Sequence, residues 1–181
     1  SEMEKKYIEP CSRKIMRRDV VNLISHEIGH NLGLRHNFMG SADGRNFFTA
    51  EEVKNIYGVD LQPEDVPQSS TVMDYLGAAE KQLGFPGKYD IAALRFAYAG
   101  SVVLENGKKH DVSENTESMS ESLDNNLYHF KFCNDTDIQL GVDPMCAPFD
   151  AGVEPKQVVN REIKLYNERF ITDYYRYNRP R

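Results

Sequence analysis

Three of the five histidines of this chain fall in one short run, His26-Glu27-Ile28-Gly29-His30-Asn31-Leu32-Gly33-Leu34-Arg35-His36. In a helix of 3.6 residues per turn, positions four apart share a face, so the imidazoles of His26 and His30 can reach one ion together. A third imidazole cannot come from the next turn of the same helix without crowding. The chain has to leave the helix and swing back, and Gly33 permits this because glycine adopts left-handed backbone angles at little steric cost. His36 then meets the ion from another side. Zinc with three protein ligands keeps a fourth position for water, the arrangement of a catalytic rather than a closed structural site, so a single catalytic zinc is the expected cofactor. Glu27 lies beside the ligands without being forced to bind. It is placed as a general base that takes a proton from the attacking water and passes it to the leaving amine.

These residues need elements to hold them. Val20, Val21, Leu23, Ile24, Ile28 and Leu32 recur at helical spacing, which predicts a helix from near Ser12 or Asp19 to Leu32 that stops at Gly33. Thr49 followed by Glu52 is a capping box for a short helix through Ile56, closed by Gly58, and Pro63 and Pro67 hold an extended loop after it. Residues 68–77 lack a sustained period and read as an ordered turn. Asp90 is the expected N-cap of a helix through Tyr98 that Gly100 ends. Val102-Val103-Leu104, Asn106-Gly107 and a second run to Val112 form a hairpin signal. Ser113 to Asn126, rich in Ser, Glu and Asn, reads as a mobile surface loop, and Leu127 to Cys133 alternates like a half-buried strand. Beyond Pro155, Val159, Ile163, Tyr166, Phe170 and Tyr174 mark one face of a long closing helix. The fold class is α+β, dominated by helix.

The run His26 to His36 matches the extended zinc signature of the metzincin metallopeptidases, His-Glu-x-x-His-x-x-Gly-x-x-His, at every fixed position. Downstream, Thr71-Val72-Met73-Asp74-Tyr75 is similar to the methionine turn that metzincins place beneath the metal. The resemblance implies that Met73 forms an apolar base under the three imidazoles. Tyr75 is similar to the tyrosine found at that position in the astacin, serralysin and pappalysin branches, and differs from the proline of matrixins. It implies an auxiliary group able to hydrogen-bond the carbonyl oxygen as it gains charge. Arg35-His36-Asn37-Phe38 and Asp90-Ile91-Ala92-Ala93-Leu94-Arg95-Phe96 resemble large bacterial zinc proteases of that clan. By this resemblance residues 1–100 are a metzincin-like catalytic core of zinc helix, methionine turn and following helix, and residues 101–181 a C-terminal helical extension packed on it. Metzincins also carry a long upper sheet subdomain before the zinc helix, and only 25 residues precede His26 here. The expectation is a fragment of a larger protein whose upstream region completes the substrate wall.

Composition narrows the partners. The net charge of -6 disfavours nucleic acid, whose phosphates need clustered Lys and Arg, and the single basic cluster, Arg13-Lys14 with Arg17-Arg18, reads as a solvated helix face. No run is long and apolar enough for a membrane helix. Among three cysteines, Cys133 and Cys146 are the pair placed to bridge, with two reduced thiols as the alternative; a bridge implies an oxidising, secreted or periplasmic location and leaves Cys11 over. Asp135, Asp137 and Asp143 raise calcium, but Gln139 and Leu140 break EF-hand spacing and no Glu closes the loop, so a solvated acidic loop is preferred. The function expected is zinc-dependent endopeptidase acting on polypeptide. The rival is a non-catalytic, zinc-stabilised binding module of a larger secreted protein.

Overall fold

The computed structural model describes residues 9–76, 84–105, 107–114 and 128–174. Five helices and one hairpin follow in order: α1 (Glu9–Asn31), α2 (Ala50–Tyr57), α3 (Lys88–Ala99), β1 (Ser101–Val103), β2 (Lys109–Asp111), α4 (Asp135–Leu140) and α5 (Pro155–Tyr174). Three single turns of 3-10 helix lie between them, one of them at Pro63–Asp65 within the loop expected to be extended. The architecture is helix-dominated α+β, and the two strands pair antiparallel with Val102 opposite His110. No helix of the described residues is long and apolar enough to cross a membrane.

Several elements form for the reasons their sequence announces. Thr49 Oγ1 accepts from the Glu52 N–H while the Glu52 carboxylate accepts from the Thr49 N–H, so two orphan donors of α2 are satisfied reciprocally, and Gly58 closes the helix at φ +68°. Helix α1 is already formed at Glu9, the first described residue, earlier than the periodicity alone indicates. Helix α3 corrects an expectation: its N-cap is Gly87, and Asp90 sits one turn in. The Asp90 carboxylate does reach back to the Gly87 N–H at 2.7 Å, but it is fully buried and has further partners described below.

The stretch from Tyr128 to Cys133 is extended but is not a strand. Beyond Tyr128, whose N–H donates at 3.1 Å to the Val103 carbonyl at the end of β1, its backbone is paired with side chains and loops rather than with a neighbouring ladder. The Asn46 amide donates to the His129 carbonyl, the Asn37 amide to the Lys131 carbonyl, and the Lys131 N–H donates to Asp43. Alternation of apolar residues is the same for either kind of pairing, which is why the pattern misled. Residues 115–126 of the expected surface loop lie outside the described residues.

The core sits under loops. One buried cluster joins Phe38 and Met39 to the bonded pair Cys133–Cys146, with Ile138 and Met145 packed against it. A second joins Val72 and Met73 to Leu34 and Phe85. The long helices contribute less than their patterns suggest: Val20, Leu23, Ile24 and Ile28 of α1 and Val159, Ile163 and Tyr166 of α5 are all exposed.

Candidate metal centre

His26 and His30 project from the last turns of α1, and the way that helix ends places the third imidazole. The Leu34 N–H reaches back to the Gly29 carbonyl at 3.0 Å and the Gly33 N–H to the His30 carbonyl at 2.9 Å. This is a Schellman stop with Gly33 at φ +92° in the position that takes left-handed angles. The same turn returns the Leu34 carbonyl to His30 Nδ1 at 2.9 Å, so the helix stop also orients a ring of the site.

Each imidazole is held through Nδ1. His26 Nδ1 meets the Val72 carbonyl at 2.7 Å, His30 Nδ1 meets Leu34, and His36 Nδ1 lies 3.0 Å from both carboxylate oxygens of Asp135. All three partners are acceptors, so each Nδ1 carries the hydrogen, and in the neutral ring each Nε2 is left as a bare lone pair. His30 Nε2 and His36 Nε2 face each other at 3.2 Å. Two lone pairs at that separation repel unless a cation sits between them. His26 Nε2 is buried with no hydrogen-bond partner, and ligand atoms of the three residues lie within 4.8 Å of one another. Nitrogens bound to a tetrahedral zinc at roughly 2.0–2.1 Å are about 3.3 Å apart, so the donor set and its spacing fit that ion. Burial lowers the pKa of His26, helped by the neighbouring His30 and His36, which favours the neutral, metal-binding form at neutral pH.

Met73 lies fully buried beneath this group. It approaches because Gly29, between the two helical histidines, has no side chain: a Cβ there would stand 2.4 Å from Met73 Sδ. The methionine turn is fixed from three directions. Its Met73 carbonyl accepts from the Asn37 N–H at 3.0 Å, Thr71 Oγ1 accepts from the Met73 N–H at 2.9 Å, and Asp90 holds the whole turn from α3. The Asp90 carboxylate accepts from Thr71 Oγ1 at 2.5 Å and from the Val72 N–H at 2.9 Å, in addition to Gly87. Since the Val72 carbonyl is the partner of His26, Asp90 fixes the residue that holds a ring of the site.

Glu27 is exposed on α1 beside the ligands, and its charge reaches both His26, where it opposes without outweighing the lowering by burial, and Tyr75. The Tyr75 ring stacks on His26 at 5.3 Å and lies 4.6 Å from His36. Burial, with the charges of Asp135 and Glu27, raises the pKa of Tyr75, so its hydroxyl keeps its proton at neutral pH. The structure thus brings His26, Glu27, His30, Gly33, His36, Met73 and Tyr75 to one place.

Asp135 was weighed for calcium, yet it is the partner of His36. The hydrogen bond from His36 holds its own pKa below the ordinary carboxylate range. Of the other two acids, Asp137 accepts from the Asn134 N–H as a cap of α4 and Asp143 from the Met145 N–H in a turn. The Cys133–Cys146 bond, with Cα atoms 5.9 Å apart, fixes the chain just before Asp135. Asp135, Asp90 and Gly29 were not singled out as site residues from sequence. For Gly29 a signal existed, namely the smallest side chain on the histidine face of the motif. Asp135 is 99 positions from His36, and no spacing rule connects them.

Three imidazoles converging from a helix and its return turn, above a buried methionine, form a centre of zinc metallopeptidase type. The Met-zincin family model matches residues 9–173, and the chain belongs to that family. No curated protein and no solved structure matches it.

Proposed function

We propose that this chain carries the catalytic centre of a zinc-dependent endopeptidase. The observation that carries the reading is the convergence of three Nε2 lone pairs on one point with a carboxylate, Glu27, beside them that is not itself needed to complete the ligand set. Bound there, zinc supplies Lewis acidity, acidifying a water towards a pKa of about 7 and polarising the peptide carbonyl. Glu27 accepts the proton that the water releases and hands it to the departing nitrogen. Tyr75, protonated at neutral pH, donates a hydrogen bond to the carbonyl oxygen as charge accumulates on it. Asp135 and the Val72 and Leu34 carbonyls keep the three rings in the tautomer that binds metal. The Cys133–Cys146 bond supports an oxidising location, secreted or periplasmic.

Replacing Glu27 with Gln separates this reading from a purely structural zinc module. The variant should bind a stoichiometric zinc, read by metal analysis, and lose cleavage of unfolded casein by at least about a hundredfold. Retained cleavage by zinc-loaded Glu27→Gln would overturn the assigned base. An inactive wild-type chain with full zinc content would favour the structural module.

A further inference from the structure

Phe149 has a backbone φ of +67°, the left-handed region that side-chain-bearing residues avoid, and it is the one non-glycine residue among those described to do so. The conformation is held from several sides. Its N–H donates to the Tyr75 carbonyl at 2.7 Å, its carbonyl accepts from the Arg161 guanidinium at 3.3 Å, and the next residue, Asp150, is buried with its carboxylate 3.3 Å from Ser41 Oγ. What this backbone holds in place is an aromatic ring that stays 61 % exposed. The ring stacks on Tyr75 at 5.7 Å with an interplanar angle of 17°, and the other neighbour of Tyr75 in that stack is His26. A scattered exposed phenylalanine needs no explanation. A disfavoured backbone, pinned by three contacts so that an open ring continues an aromatic stack from a metal-site histidine, does.

We propose that Phe149, backed by Tyr75, is a specificity-determining wall of the cleft and takes an apolar side chain of the substrate next to the bond that is cut. The inference rests on the peptidase reading of the site and adds the substrate class: polypeptide with a branched aliphatic or aromatic residue at one position flanking the cleavage point. The exposed face of the ring is the contact surface, and the stack behind it prevents the ring from turning away.

The test uses the zinc-loaded full chain and its Phe149→Gly variant, since glycine adopts the observed φ freely and the fold is retained. Two dipeptide hydroxamates, one with a leucyl and one with a glycyl side chain, are titrated calorimetrically. Wild type should bind the leucyl compound roughly tenfold more tightly, and Phe149→Gly should bind the two alike with its affinity for the glycyl compound unchanged. Melting temperature should be equal or higher in the variant. An unaltered preference, or an equal loss for both compounds, would overturn the proposal, the second outcome meaning that the ring acts on the metal site itself. In casein digests mapped by mass spectrometry, the enrichment of apolar residues at one flanking position should flatten in Phe149→Gly. A wild type that discriminates between the hydroxamates yet cuts no polypeptide leaves the wall standing and removes the peptidase reading.

Discussion

Residues 69–74 have no regular secondary structure and almost no accessible surface, whereas α1, the longest regular element among the described residues, presents Val20, Leu23, Ile24 and Ile28 to solvent. The contrast inverts the usual expectation that amphipathic helices bury their apolar face and loops lie outside. Most polar groups of the buried loop find partners: Ser69 Oγ donates to the Thr71 carbonyl, Thr71 Oγ1 to Asp90 and the Ser41 N–H to Asp74, while Ser70 Oγ and the second carboxylate oxygen of Asp74 have no hydrogen-bond partner among the described residues. Buried backbone without a ladder must find such partners or the cost of desolvation unfolds it. Hydrogen bonding and the small apolar cluster of Val72, Met73, Leu34 and Phe85 hold the methionine turn under the metal site, while Val20, Leu23, Ile24 and Ile28 of α1 stay exposed.

If so, the largest effect should come from breaking the buried network rather than from any apolar change on α1. Asp90→Ala removes the acceptor of three donors, and the orphaned Thr71, Val72 and Gly87 groups should cost roughly 3–5 kcal/mol in urea unfolding. A loss below about 1 kcal/mol would show that the network is not what holds the turn.

Next comes pH. Burial, followed by the charge of Asp150, raises the pKa of Asp74 to about 7, and burial raises Asp150 to about 6. A raised acid favours the folded state while it is protonated: the contribution is full below the unfolded value near 3.8 and is lost as pH rises through about 7. Between pH 4 and 8 the wild type should therefore lose on the order of 3 kcal/mol relative to Asp74→Asn, in which this titration is absent. Parallel stability curves for the two proteins would exclude Asp74 as the titrating group.

Asp135→Ala should leave the melting temperature of the metal-free protein nearly unchanged, because Asp135 is exposed, and weaken zinc affinity by about 10–100-fold in competition with a chelator. Unchanged affinity would mean that His36 is oriented by the chain turn alone. The smallest effect belongs to the helix face. Leu23, 57 % exposed, should tolerate replacement by Gln within about 0.5 kcal/mol of the wild type. A loss of several kcal/mol would mean that this face is covered in solution.

Much of the candidate site was legible because its rules are local. Histidines four apart share a helix face, a glycine three beyond the second permits the return, and Thr49 with Glu52 starts a helix; each of these is decided within one or two turns of chain. The reading of Asp90 as the N-cap was wrong about its position: Gly87 is the cap, and Asp90 accepts from its N–H from the third helical residue, because cap preferences do not distinguish a carboxylate at the helix entrance from one on its third residue. Tyr128 to Cys133 alternates as a strand would, but period alone does not say whether a backbone pairs with another strand or with Asn37, Asn46 and Asp43.

By itself, the sequence determined the three candidate ligands, the adjacent Glu27, the helix that carries two of them and the glycine that brings the third, because these depend on backbone geometry over eleven consecutive residues, His26 to His36. Tertiary structure alone decided what orients them. Val72 meets His26 across 46 positions and Asp135 meets His36 across 99, and such contacts come from packing that no periodicity encodes. The same holds for the exposure of α1 and for Phe149: a side chain's surroundings depend on every other element's placement, whereas its helical face depends only on its neighbours in the chain.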